Sequence, residues 1–236
     1  TITCLLASII AFSSPDGRLS AEMQTFPDHV EYSLSCDGRQ LISPSAASMK
    51  LDDGSTIPSG KVKNVKRRSE DTVFDPPIYR KSQVRDHFNE VRVSYGRTAV
   101  VFRLYDDAFA WRFEISERKA FKVLSEQAEF VFPHDWKMYA SYTHKYAKGG
   151  LKAQLCDDFE NVYRYESISD FDTDHYVHCP LMVEAGEGVK MVITEADLNS
   201  YPGMFLYNED AGTRIIGVNA QVPSEFEIGG HNGLQE

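Results

Sequence analysis

Between Asn89 and Pro133 the chain alternates apolar and polar residues in short runs separated by turn residues, and this pattern restricts it to a β fold. Val91, Val93 and Tyr95 share one face of the first run. Gly96-Arg97 turns the chain, and Thr98 to Tyr105 forms the second run. After a turn at Asp106-Asp107-Ala108, Phe109, Trp111, Phe113 and Ile115 point one way while Ala110, Arg112 and Glu114 point the other. Phe121 to Leu124 and Ala128 to Phe132 complete a meander. Spacing this regular, with aromatic inward faces, predicts a sandwich.

Other segments extend the pattern. Leu19 to Phe26 and His29 to Cys36 read as strands, and Asp37-Gly38 is a hairpin signal. Leu41–Ile42 and Ala47 to Leu51 are shorter strands ahead of a turn at Asp52-Asp53-Gly54. Residues Gly60 to Arg85 are polar and broken by Asp75-Pro76-Pro77, so a long loop with short edge strands is expected there. Pro180 to Val183 and Val189 to Ile193 make a hairpin about Gly186-Glu187-Gly188. Met204 to Leu206 and Thr213 to Val218 are further strands. No amphipathic helix of length stands out, so an all-β chain with few short helices is expected.

Composition narrows the function. Hydrophobic residues are 42% and aromatic residues 12% of the chain, enough for a sizeable core. The net charge of −10 repels a phosphate backbone, so no nucleic-acid partner is expected. The basic run Lys61 to Arg68 lacks interleaved aromatics and reads as a solvated strand or loop. Residues Thr1 to Phe12 form an apolar run too short for a bilayer, which needs about 20 residues. Residues 1–13 fit the remnant of a secretory signal peptide, with Ala11 and Ser13 at the positions before a cleavage site; a buried first strand is the competing reading. No other stretch is long enough to be a membrane span. Export would permit a disulfide among Cys36, Cys156 and Cys179, with an odd thiol left over.

The chemistry is sparse. G-x-S-x-G, H-E-x-x-H and the phosphate-binding glycine loop are absent. Asp170 to Asp174 imitates the start of an EF-hand loop, but His175 stands where Gly is needed and Leu181 where the closing Glu belongs. His175 and His178 are ligating types that a strand would point to opposite faces. Asp135 to His178 is rich in aromatics with polar tips, including Trp136, Tyr139, Tyr142, Tyr146, Tyr163, Tyr165 and Tyr176; such side chains suit sugar sites and sandwich rims alike. Glycoside hydrolysis needs two carboxylates across one bond, and 35 acidic residues do not single out a pair. Glu195 and Asp197 lie where the strand Val189 to Ile193 ends, a position that suits metal or substrate contact; on pattern alone a solvated strand end is the competing reading.

Four segments carry a family resemblance: SPDGRLS from Ser14, FRLYDDAFAWRFEI from Phe102, EFVFP from Glu129, and CPLMVEAGEGVKMVITEADLNSYPGMFL from Cys179. Together they resemble the N-terminal domain of glycoside hydrolase family 97, a family of bacterial α-glucosidases and α-galactosidases. Ala108 stands where that family usually has Gly, so a turn needing positive φ would be strained. The resemblance implies a β-supersandwich, galactose-mutarotase-like, over residues 14–222, with 223–236 beginning a linker to a (β/α)8 catalytic barrel. It implies a secreted or periplasmic bacterial protein acting on an oligosaccharide or α-glycoside. It further implies that Glu195 is a calcium ligand, with the remaining ligands and the catalytic carboxylates on the barrel. This chain alone is then expected to be inactive. The alternatives are a stand-alone carbohydrate-binding sandwich using the Tyr139–Tyr176 aromatics, and a mutarotase-like epimerase drawing on His144, His175 or His178 with a carboxylate.

Overall fold

The computed structural model describes residues 9–116, 120–144, 149–157, 160–199 and 201–220, and the backbone at Glu227–Ile228 and Leu234–Gln235. The chain divides into two compact units between His134 and Asp135, within the span that the sequence reads as one domain.

The first unit is a two-sheet sandwich. One sheet has the order β1 (Ile9–Ser13), β2 (Leu19–Thr25), β3 (Val30–Cys36), β4 (Arg39–Leu51), β10 (Val123–Val131), with β5 (Thr56–Ile57) also on β4. The other is an antiparallel meander of β6 (Asn64–Phe74), β7 (Val84–Ser94), β8 (Thr98–Tyr105) and β9 (Phe109–Ile115). The predicted faces hold. Val91, Phe102 and Trp111 form one cross-strand row and Val93, Val100 and Phe113 the next. Tyr32 of the first sheet meets Phe109 and Trp111 at ring distances of 5.3 and 6.2 Å, and Leu104 packs with Leu19 and Ala21.

Three findings differ from the sequence reading. Ile9–Ser13, read as part of a leader remnant, is strand β1, paired with β2 and burying Ile10; for these five residues the strand alternative is the one observed. Residues 1–8 lie outside the described residues. Within the expected loop 60–85, residues Asn64–Phe74 form β6, an eleven-residue edge strand paired along its whole length with β7. It lacks apolar alternation because nearly all of it faces solvent, and cross-strand groups hold it instead: Arg85 to Asp71, Arg68 to Glu90 and Ser69 to Asn89. Third, the two short strands around Pro44 are one thirteen-residue strand, and those flanking Ser125 are likewise one. Proline lacks the ladder N–H, and both neighbours slip register beside Pro44. Side chains fill the gap. Ser45 Oγ accepts the Val131 N–H at 2.9 Å, Glu129 Oε2 accepts the Ala46 N–H at 3.2 Å, and the Tyr32 hydroxyl donates to the Glu129 carbonyl at 2.6 Å. The Asp106–Ala108 turn closes with the Tyr105 N–H on the Ala108 carbonyl, and Ala108 is not among the positive-φ residues, so its lack of glycine costs nothing.

The second unit contains a four-stranded sheet with order β12 (Arg164–Ser167), β11 (Lys137–Ala140), β14 (Leu181–Glu184), β15 (Lys190–Ile193). A three-stranded ribbon joins β13 (Val177–His178), β16 (Met204–Tyr207) and β17 (Arg214–Asn219). A bridge from Tyr142 to Val177 connects them. Met138, Ala140, Val177, Leu181, Val183, Leu206 and Ile215 are fully buried. Two short 3-10 helices, Gly150–Cys156 and Ile168–Asp170, complete the described helical content. The expected linker 223–236 falls largely outside the described residues, except that β18 (Glu227–Ile228) pairs with β19 (Leu234–Gln235).

Candidate functional site

Strand β15 ends at Ile193, which is buried, and Thr194 projects into solvent. Glu195, half-buried, turns toward the segment Tyr201-Pro202-Gly203-Met204. Its Oε2 accepts the Met204 N–H at 2.7 Å and lies 3.9 Å from where a Cβ on Gly203 would be. The end of β17 pins this turn, since the Ala220 N–H donates to the Gly203 carbonyl and Asn219 Nδ2 to the Pro202 carbonyl. One carboxylate oxygen is therefore fixed by backbone, while Oε1 carries no hydrogen bond from the described residues. Burial, and then the Glu195 charge, push the neighbouring Cys179 thiol up to about 12. Asp197, the other carboxylate of the strand end, is exposed, has φ +61°, and accepts from Asn199 Nδ2. The structure gives the two carboxylates different partners.

A carboxylate with one oxygen anchored and the other open fits monodentate donation to a hard cation. Calcium takes about six to eight oxygens, so Glu195 alone is an incomplete site. Among the described residues no group of three or more His, Cys, Asp or Glu is placed to hold a metal. The EF-hand imitation is used structurally. Asp170 Oδ2 accepts the Ser167 N–H at the start of its 3-10 helix, and Asp172 receives Arg164, His175 and the Asp174 N–H.

The two histidines of the 175–178 segment have separate surroundings. His175 Nδ1 lies 3.0 Å from Asp172 and its ring meets Tyr142, whereas His178 packs on Phe205 and lies 3.8 Å from Asp157. Asp157 was not singled out by sequence. Its side chain is 1% exposed and lies 3.1 Å from His144 Nδ1, and it also accepts the His144 backbone N–H. No local signal marks this pairing, since the residues are 13 apart across a segment without strand periodicity.

The aromatics also divide. Tyr142 is buried; it donates to Glu166 and lies under the Arg164 guanidinium, 4.6 Å from its ring centre. Tyr176 is buried against Phe205 and Tyr207. Tyr165 and Tyr163 are exposed, and Tyr139 is half-buried beside Tyr165. Tyr146 lies outside the described residues. No described helix is long and apolar enough to cross a membrane. Cys36, Cys156 and Cys179 are free thiols.

The family model described as "Glycosyl-hydrolase 97 N-terminal" matches residues 12–225. The chain belongs to glycoside hydrolase family 97, as its N-terminal domain. A retaining α-galactosidase of Bacteroides thetaiotaomicron is 35% identical over 225 residues, covering 94% of this chain and 34% of that protein. Among solved structures, a family 97 enzyme in complex with acarbose from Pseudoalteromonas sp. strain K8 superposes with a TM-score of 0.72 at 22% identity, over 89% of this chain and 32% of that one. A β-arabinopyranosidase superposes with a TM-score of 0.74 at 22% identity, over 89% and 35% of the two chains. The chain thus spans about a third of the length of the relatives it matches.

Proposed function

We propose that this chain is the N-terminal part of an α-glycosidase and that it completes the active site of a catalytic (β/α)8 barrel by presenting Glu195 as a calcium ligand. The observation that carries the reading is the Glu195 carboxylate itself, anchored on the Met204 N–H at one oxygen and open at the other, within a family 97 N-terminal domain. Anchoring by backbone holds the ligand oxygen in place at little entropic cost when a cation binds. Calcium in such a site supplies positive charge that orients a sugar hydroxyl or offsets charge developing at the glycosidic bond. The remaining ligands and both catalytic carboxylates would come from the barrel. The domain by itself would be inactive.

An α-galactoside is the first substrate to test, because the 35%-identical relative is a retaining α-galactosidase. Placement in the periplasm or outside the cell belongs to the same proposal, as what the family resemblance implies; Ile9–Ser13, being strand β1, does not support it. The test is α-galactosidase and α-glucosidase activity of the full-length protein and its Glu195→Gln variant, with calcium and with chelator. Calcium-dependent wild-type activity, lost in Glu195→Gln and partly restored by excess calcium, supports the assignment. A variant that titrates with calcium as wild type does reduces Glu195 to a structural strand end.

A further inference from the structure

We propose that the outer face of the β12-β11-β14-β15 sheet is the surface on which the catalytic domain of the full-length protein packs. This rests on the preceding reading that such a domain exists, and adds which face meets it. The register places Tyr165, Tyr139, Met182 and Val192 in a single row across all four strands. The alternate positions Met138 and Val183 face the interior and are fully buried. The row itself faces solvent: Tyr165 is 53% and Val192 56% exposed, and Tyr139 and Met182 are half-buried. The Tyr139 and Tyr165 rings lie 4.6 Å apart, and the Tyr165 hydroxyl donates to Glu184 Oε2 at 2.7 Å. Lys137, Glu184 and Lys190 form the adjacent row, with Lys190 Nζ 3.2 Å from Glu184.

A sheet face intended for water carries polar groups at every second position. The outer face of the meander in the first unit does so: Glu90 pairs with Arg68 and Arg103, and Glu114 with Arg92 and Arg112. The second unit instead shows an apolar row of two tyrosines, a methionine and a valine with a charged border, the composition of an interface core and rim. Two observations name its occupant. Strand β15, which carries Val192, runs within three residues into Glu195, so the row and the donated carboxylate share one edge of the sheet. The relatives also extend about twofold beyond the part matched by this chain, which is ample for a covering domain.

Hydroxyl-radical footprinting of the purified full-length protein tests this. Tyr79, 58% exposed in the loop between β6 and β7, is the internal reference for Tyr165. In the monomer without sugar, Tyr165 and Met182 should label severalfold more slowly than their exposure in this domain dictates, with Tyr79 labelling freely. Val192→Asp combined with Tyr165→Ser should restore labelling of Met182 while leaving Tyr79 unchanged. Equal labelling of Tyr165 and Tyr79 overturns the proposal. So does protection that arises only as a dimer forms, which assigns the face to a second copy, or only on adding an oligosaccharide, which makes it a sugar platform. If Glu195→Gln behaves as a ligand variant while Tyr165 stays reactive, only the choice of face fails; a gene product without a catalytic domain overturns both readings.

Discussion

Replacing Glu90 by Gln tests how the exposed side of the meander is held. The Glu90 side chain is 11% exposed and accepts from Arg68 Nε at 2.8 Å, Arg68 Nη2 at 3.2 Å and Arg103 Nε at 2.7 Å. Both guanidinium groups lie over the Phe88 ring, at 5.0 and 4.2 Å. The variant keeps the shape but removes the charge and sets an amide N–H against a guanidinium. Hydrogen bonds to charged groups contribute about 1.5–3 kcal/mol when shielded. Arg103, with its side chain 27% exposed, falls near the lower end of that range. Arg68 is 48% exposed, so its share is discounted to about 0.5–1 kcal/mol. The expected loss at pH 7 is about 2–3 kcal/mol in urea unfolding, with the denaturant slope unchanged. The hydrogen bond from Arg68, then that from Arg103, hold the Glu90 carboxyl below its ordinary range against the opposing effect of burial. A depressed folded pKa gives stability that is present above the unfolded value, about 4.3, and lost as pH falls through the folded value. The difference between wild type and Glu90→Gln should therefore shrink below about pH 4. A loss under about 0.5 kcal/mol at pH 7, or one that persists unchanged to acid pH, refutes the reasoning.

Two further outcomes follow from local geometry. Gly149 has φ +89°, and a Cβ there would meet the Ala153 Cβ at 2.8 Å, so Gly149→Ala should cost about 1–3 kcal/mol by thermal unfolding. Gly150, at φ +57° with open space, should cost less on the same change, and equal losses would dismiss the clash. In native protein at pH 8, iodoacetamide should modify exposed Cys156 well before Cys179, whose thiol is held protonated by burial and by the Glu195 charge. Mass mapping of the alkylated peptides reads the order, and early labelling of Cys179 contradicts it.

The sequence by itself determined what depends on near neighbours. The inward rows of β7, β8 and β9 were legible because period-two alternation is written residue by residue. The hairpin at Gly186–Gly188 and the return of the chain at Pro202-Gly203 were legible through turn chemistry. That return places the Met204 N–H where the Glu195 carboxylate finds it. Tertiary structure decided what depends on residues distant in sequence. Strand β6 has no alternation of its own and exists because β7 pairs with it over eleven residues. Register slips beside Pro44 are repaired by Ser45, Tyr32 and Glu129, from three strands. Asp157 is buried beside His144 and His178 without any spacing that announces it. The tyrosines between 139 and 176 look alike in sequence, yet Tyr142 and Tyr176 are buried while Tyr163 and Tyr165 face solvent. Alternation says which side chains share a face, but only the packed chain says what covers that face, because burial is a property of the neighbouring layer rather than of the strand.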